Sequence, residues 1–241
     1  FDKSRFADII EARKEFGDDR YYMGSLYLTG FTIMSFLRGF CNLMEDMLIE
    51  PENVEKLADL VFGFENDVIR QMADYGFHAV SFWDDWGTQT DLMVAPDYWR
   101  RVFKPRYKEQ FKIAHEHGLD VFFHSCGKVD EIVPDLIEVG VDMLNLGQPA
   151  LNAPDGKSGI EYMGKLYAGK VCFCTPADYQ TTSIQGTPEE NREEVRRIIE
   201  SMDTPNGGLI AYILDYTENM GMPKENYRAV IDAFVEFGKK S

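Results

Sequence analysis

The segment His124-Ser125-Cys126 carries an imidazole and a thiol two residues apart and is followed at once by Gly127. On an extended stretch, side chains at i and i+2 point to one side, so this pair can reach a single ion. Nitrogen and sulfur donors suit zinc, and a catalytic zinc keeps one coordination position open for substrate. A packed histidine beside a buried free cysteine is the competing structural reading. Two more ligand-type residues, Cys174 and Asp215, close predicted strands further along the chain.

A second constellation is Trp83-Asp84-Asp85-Trp86. Neighbouring residues on a strand point in opposite directions, so one of the two carboxylates faces the site. There it can bind a substrate proton or a cation, while the other caps a helix or holds a loop. Trp83 and Trp86 are placed to line a pocket for a flat or bulky ligand. His115 and His117 precede Gly118 at the end of a helical stretch, where imidazoles meet the helix dipole at the surface. Cys41, inside an apolar stretch, is expected in the core.

These groups need elements to hold them. Short apolar runs at Tyr22–Leu28, His78–Trp83, Asp120–His124, Asp142–Leu146, Lys170–Cys174 and Gly208–Leu214 read as strands buried on both faces. Between them lie amphipathic stretches at Pro51–Tyr75, Ala95–His117, Val129–Val139, Thr187–Met202 and Lys224–Lys239, the fourth with a charged outer face of Glu190, Glu193, Glu194, Arg196 and Arg197. Gly186-Thr187-Pro188-Glu189-Glu190 supplies an N-cap, a proline at N1 and a capping-box glutamate. Gly76, Gly118, Gly140 and Gly207 fall where helices hand over to strands and a left-handed C-cap is wanted.

The alternation predicts an α/β fold with a parallel sheet, specifically a TIM (β/α)8 barrel lacking its N-terminal strands. Phe1 and an opening helix with no strand before it point to the same shortening. An open doubly wound sheet is the alternative, but neither G-x-G-x-x-G nor G-x-x-x-x-G-K-[ST] is present. No linker or low-complexity segment interrupts residues 1–241, which predicts a single domain.

Composition narrows the function. The 241 residues include 41 acidic and 25 basic ones, a net charge of −16, with an isoelectric point near 4.6. Such a charge disfavours nucleic acid and anionic membrane surfaces as partners. No apolar run reaches the ~18 residues of a membrane span. Four cysteines in a chain this long do not suggest a disulfide framework, so the reading is cytoplasmic with thiols available for chemistry.

Several separated motifs stand in register with a known superfamily. They are Phe36-Leu37-Arg38-Gly39 with Glu45-Asp46-Met47, Trp83 to Gly87, Ala95 to Trp99, Lys104-Pro105, His124 to Gly127, Gly140-Val141-Asp142, Gly186 to Glu190 and Pro223 to Asn226. Together they make the chain resemble the uroporphyrinogen decarboxylase superfamily of (β/α)8 barrels, which includes zinc-dependent, corrinoid-linked methyltransferases. The methyltransferase branch implies that His124 and Cys126 are zinc ligands. Its third ligand is a cysteine near the last strand, where this chain has Asp215; Cys174 is the other candidate. The resemblance implies methyl exchange between a small substrate and a corrinoid carried by a partner protein, with Zn2+ binding the substrate. Asp84 or Asp85 would orient the substrate or take its proton, and Gln148 and Tyr216 would line the pocket. The decarboxylase branch, cofactor-free and acting in porphyrin synthesis, is the alternative. Its arginine-rich N-terminal segment and its histidine near the last strand have no counterpart here. A non-catalytic barrel remnant serving as a binding subunit is the second alternative.

Overall fold

The computed structural model describes residues 3–17, 19–213 and 221–239. The elements, in chain order, are α1 (Ala7–Phe16), β1 (Met23–Leu28), α2 (Gly30–Arg38), α3 (Phe40–Ile49), α4 (Pro51–Asp74), β2 (Ala79–Trp83), α5 (Pro96–Val102), α6 (Lys104–Glu116), β3 (Asp120–Ser125), α7 (Val133–Val139), β4 (Met143–Leu146), α8 (Gly159–Tyr167), β5 (Cys172–Thr175), α9 (Thr182–Gln185), α10 (Pro188–Met202), β6 (Leu209–Ala211) and α11 (Lys224–Phe237). The six expected strands are all present, each within a few residues of its apolar run.

The chain forms two compact units. The first comprises residues 1–85, 94–124 and 132–142. Its strands β1, β2 and β3 pair parallel in chain order, with Gly24 opposite Val80 and Val80 opposite Val121. Its core is aromatic: Phe31, Phe62, Phe82, Trp99, Phe103, Tyr107, Phe111 and Phe123 are all buried. Phe62 meets Tyr107 edge-on at 5.2 Å, and Tyr107 meets Phe123 likewise at 5.4 Å, the arrangement that ring quadrupoles favour.

The second unit comprises residues 86–93, 125–131 and 143–241. Here β4, β5 and β6 pair parallel, Leu144 opposite Phe173 and Phe173 opposite Leu209. Ile160, Met163, Val195, Ile198 and Met202 bury the inner faces of α8 and α10. The capping box forms as expected: Thr187 Oγ1 accepts from the Glu190 N–H at 3.2 Å, and Glu190 Oε2 accepts from the Thr187 N–H at 2.7 Å.

Four expectations are corrected. Strands β1 and β6, read as buried on both faces, are largely exposed or half-buried, because they stand at the two ends of the strand order β1-β2-β3-β4-β5-β6. The stretch read as one helix from Ala95 to His117 breaks at Phe103, because Pro105 cannot continue a helix through the preceding turn. Cys41 is exposed on α3 instead of lying in the core. Glu194, expected on a charged outer face, is buried, and its Oε1 accepts from the Asp178 N–H. No helix among the described residues is long and apolar enough to cross a membrane.

Candidate metal centre

Strands β2 and β3 run parallel, with Trp83 opposite His124. The Asp84 N–H donates to the His124 carbonyl at 3.1 Å, extending the ladder one residue past Trp83. The Trp83 ring lies against the His124 imidazole, with centroids 4.4 Å apart and planes tilted by 34°. Trp83 Nε1 donates to Ser81 Oγ at 3.2 Å, which fixes the indole and so supports the imidazole. His124 Nε2 stands 3.5 Å from Asp85 Oδ1, the histidine side chain 12% and the aspartate 42% exposed. Two residues along the same segment, Cys126 offers its Sγ. One ligand atom from each of Asp85, His124 and Cys126 lies within 4.8 Å of the others. A nitrogen, a thiol sulfur and a carboxylate oxygen at this spacing form a donor set that suits zinc.

Alternation along the strand separates the two aspartates. Asp84 is fully buried. Its Oδ2 accepts from the Phe31 N–H at 2.9 Å and from the Tyr107 hydroxyl, and its Oδ1 from the Thr32 N–H at 2.7 Å and Thr32 Oγ1 at 2.8 Å. Burial pushes its carboxyl up to about 7, against these four bonds, which favour the charged form. Asp84 thus anchors the first turn of α2, where free N–H groups and the helix dipole welcome a carboxylate. Of the two candidate catalytic carboxylates, Asp85 is the one beside His124.

The turn after Cys126 rests on a polar scaffold. Gln148 Oε1 accepts from the Gly127 N–H, and Gln148 Nε2 donates to the Tyr179 hydroxyl at 2.7 Å. Buried Asn152 accepts from the Val129 N–H at 2.8 Å and donates to the Gln148 carbonyl at 2.8 Å. Gly127, with φ of 79°, packs against Gly87 so closely that a Cβ on it would collide with the Gly87 backbone. The glycines that follow the two candidate motifs are therefore required by each other.

The remaining sequence candidates fall elsewhere. Trp86 is fully buried, its N–H on Ser125 Oγ at 3.0 Å. Cys174 is buried, and burial pushes its thiol up to about 12; it is not in the one ligand cluster found among the described residues. Asp215 and Tyr216 lie outside the described residues. His117 Nδ1 contacts the Ile113 carbonyl and His115 Nε2 contacts Asp142 Oδ2, each at 2.8 Å at the end of α6. Thr32, Tyr107, Asn152 and Tyr179 were missed. Tyr179 follows a strand end and could have been found by the same argument as Gln148; the others act through contacts distant in sequence.

The family model for uroporphyrinogen decarboxylase (URO-D) matches residues 6–237, nearly the whole chain. The chain belongs to the URO-D family. Its α/β fold with six parallel strands is consistent with a partial TIM-like barrel of that family. A methyltransferase from Methanosarcina mazei superposes on this URO-D protein with a TM-score of 0.73 at 19% identity, over 97% of the present chain and 64% of its own. The chain thus spans just under two thirds of that structure's length. An uncharacterized B. cereus protein matches with a TM-score of 0.45 at 12% identity, over 92% of this chain and 46% of its own. D-psicose 3-epimerase from Clostridium cellulolyticum H10 matches with 0.48 at 11% identity, over 98% and 93%. No curated protein matches the sequence.

Proposed function

We propose that this URO-D family protein is a zinc-dependent methyltransferase that exchanges a methyl group between a small substrate and a corrinoid carried by a partner protein. The observation that carries the reading is the approach of Asp85, His124 and Cys126 to within 4.8 Å. The fold shared with the M. mazei methyltransferase supports it.

Asp85, His124 and Cys126 would hold the zinc, with Asp215 and Cys174 as the other ligand candidates. When bound, the zinc would serve as a Lewis acid that lowers the pKa of a substrate thiol or hydroxyl. The chain's own residues do the rest. Trp83 keeps the imidazole oriented, because its ring covers one face of His124. Gln148 holds the backbone after Cys126 through the Gly127 N–H and presents Tyr179. Asp85, less buried than His124, would also orient a substrate donor or accept its proton.

The test is the zinc content of purified protein by elemental analysis, with Cys126→Ser as control, and demethylation of methylcobalamin by a panel of small thiols. About one zinc per chain in the wild type, lost in the variant, together with zinc-dependent methyl transfer, is the expected result. Equal zinc in both proteins would remove the basis of the reading.

A further inference from the structure

Asp85 is joined to a helix that carries none of the ligand residues. Its backbone N–H donates to Thr32 Oγ1 at 3.1 Å. The same hydroxyl donates to Asp84 Oδ1 at 2.8 Å, so it bridges the side chain of one aspartate and the backbone of the next. The Thr32 N–H also donates to Asp84 Oδ1, at 2.7 Å. Just before it, the Thr29 N–H donates to the Trp83 carbonyl at 3.0 Å. Thr29 and Thr32, at the entry to α2, thus share four hydrogen bonds with Trp83, Asp84 and Asp85, three of them donated by the threonines and one by the Asp85 N–H.

The Thr32 hydroxyl receives the Asp85 N–H. A hydroxyl can donate one bond while accepting another, and both capacities are used here. Valine fills the same volume but leaves the Asp85 N–H without this acceptor and removes one donor from Asp84. The remaining anchors of α2 would survive, since the Phe31 N–H and the Tyr107 hydroxyl still reach Asp84.

We propose that Thr32 is a positioning residue of the metal centre, fixing the backbone of Asp85 so that its carboxylate stands beside His124. This rests on the zinc reading above. Groups that orient a ligand from behind commonly change metal affinity about 10- to 100-fold when removed.

The experiment measures zinc affinity by competition with a chromogenic chelator, and the visible spectrum after cobalt substitution, in intact wild-type, Thr32→Val, Thr32→Ser, Tyr107→Phe and Asp85→Asn proteins. Thr32→Val should bind zinc about 10- to 100-fold more weakly, with altered cobalt bands. Thr32→Ser should restore both to near the wild-type values, and Asp85→Asn should be at least as impaired as Thr32→Val. Tyr107→Phe, which also removes a bond to Asp84, should leave affinity within about threefold even where it lowers the melting temperature. Wild-type affinity in Thr32→Val or in Asp85→Asn overturns the proposal, and so does an equal loss in Tyr107→Phe. If wild type takes up no more zinc than Cys126→Ser, the metal reading falls and the proposal falls with it, an outcome distinct from failure of Thr32 alone.

Discussion

A Cβ on Gly147 would stand 2.9 Å from Cys126 Sγ and 3.3 Å from the Tyr179 hydroxyl. The chain after β4 therefore runs close to the candidate thiol ligand, and the missing side chain of Gly147 leaves room for it. Gly147→Ala should displace the Cys126 side chain and weaken zinc binding by more than about tenfold. The stability cost of such overpacking is about 1–3 kcal/mol. A competition titration alongside urea unfolding separates the two effects. Unchanged zinc affinity would show that Sγ has room to move without loss of function.

Whether Asp215 or Cys174 adds to the Asp85, His124 and Cys126 set can be decided by comparing two variants. The Cys174 thiol is buried and pushed up to about 12, so a proton must be expelled from an apolar setting before it can ligate. Asp215 carries the chemistry suited to the last-strand position that the family resemblance implies. Asp215→Ala should weaken zinc binding more than Cys174→Ala, which should stay within about twofold of wild type. The reverse order in a metal titration would transfer the role to Cys174.

Stability should fall with rising pH through a window set by Glu65. Its Oε1 accepts from the Gly30 N–H at 2.8 Å and its Oε2 from Gln110 Nε2 at 2.6 Å, yet burial pushes it up to about 7 from 4.5. A raised carboxyl favours the protonated form in the folded state. Between pH 4.5 and 7 the folded protein holds a proton that the unfolded chain has released, so the unfolding free energy declines across that range. Asp84, raised to about 7 from 3.8, acts in the same direction from a lower starting pH. Glu65→Gln should flatten part of this slope. It should also be tolerated, because Gln110 Oε1 is buried without a hydrogen-bond partner and can turn to receive the new amide. Urea unfolding of wild type and variant at pH 5, 6 and 7 measures this; parallel slopes would refute it.

Legibility in the sequence followed the range of the interactions. The six strands could be read because each is a short apolar run between turn signals, although only β2 to β5 are mostly buried. The start of α10 could be read because Thr187 and Glu190 cap each other within one turn. The start of α2 could not. Thr29 provides no side-chain cap, and the N–H groups of Gly30, Phe31 and Thr32 are taken by Glu65 and Asp84, 35 to 53 residues away. For the same reason the Asp84-Asp85 pair was visible as a site while the division of labour within it was not. His124 and Cys126 could be paired from spacing, whereas Asp85 joined them only through the parallel register of β2 and β3.

The chain should not release carbon dioxide from uroporphyrinogen, the reaction of the other branch of the family. Removing the acetate carboxyls of a pyrrole needs the ring protonated and the substrate's many carboxylates met by cations, so that binding favours the transition state. The cations near the described motifs are already engaged. Arg100 and Lys104 pair with Asp135 at 2.9 and 2.6 Å, Arg101 with Glu55 at 3.2 Å and Arg106 with Asp59 at 2.6 Å. Lys128, just beyond the His124–Gly127 motif, pairs with Asp130. With 41 acidic residues against 25 basic ones, the field of the whole chain also repels a polyanion. Anaerobic incubation with uroporphyrinogen, followed by measurement of carbon dioxide, should show no enzyme-dependent release. Turnover in the ordinary enzymatic range of about 1–1000 per second, unaffected by a zinc chelator, would replace the methyltransferase reading with the decarboxylase one.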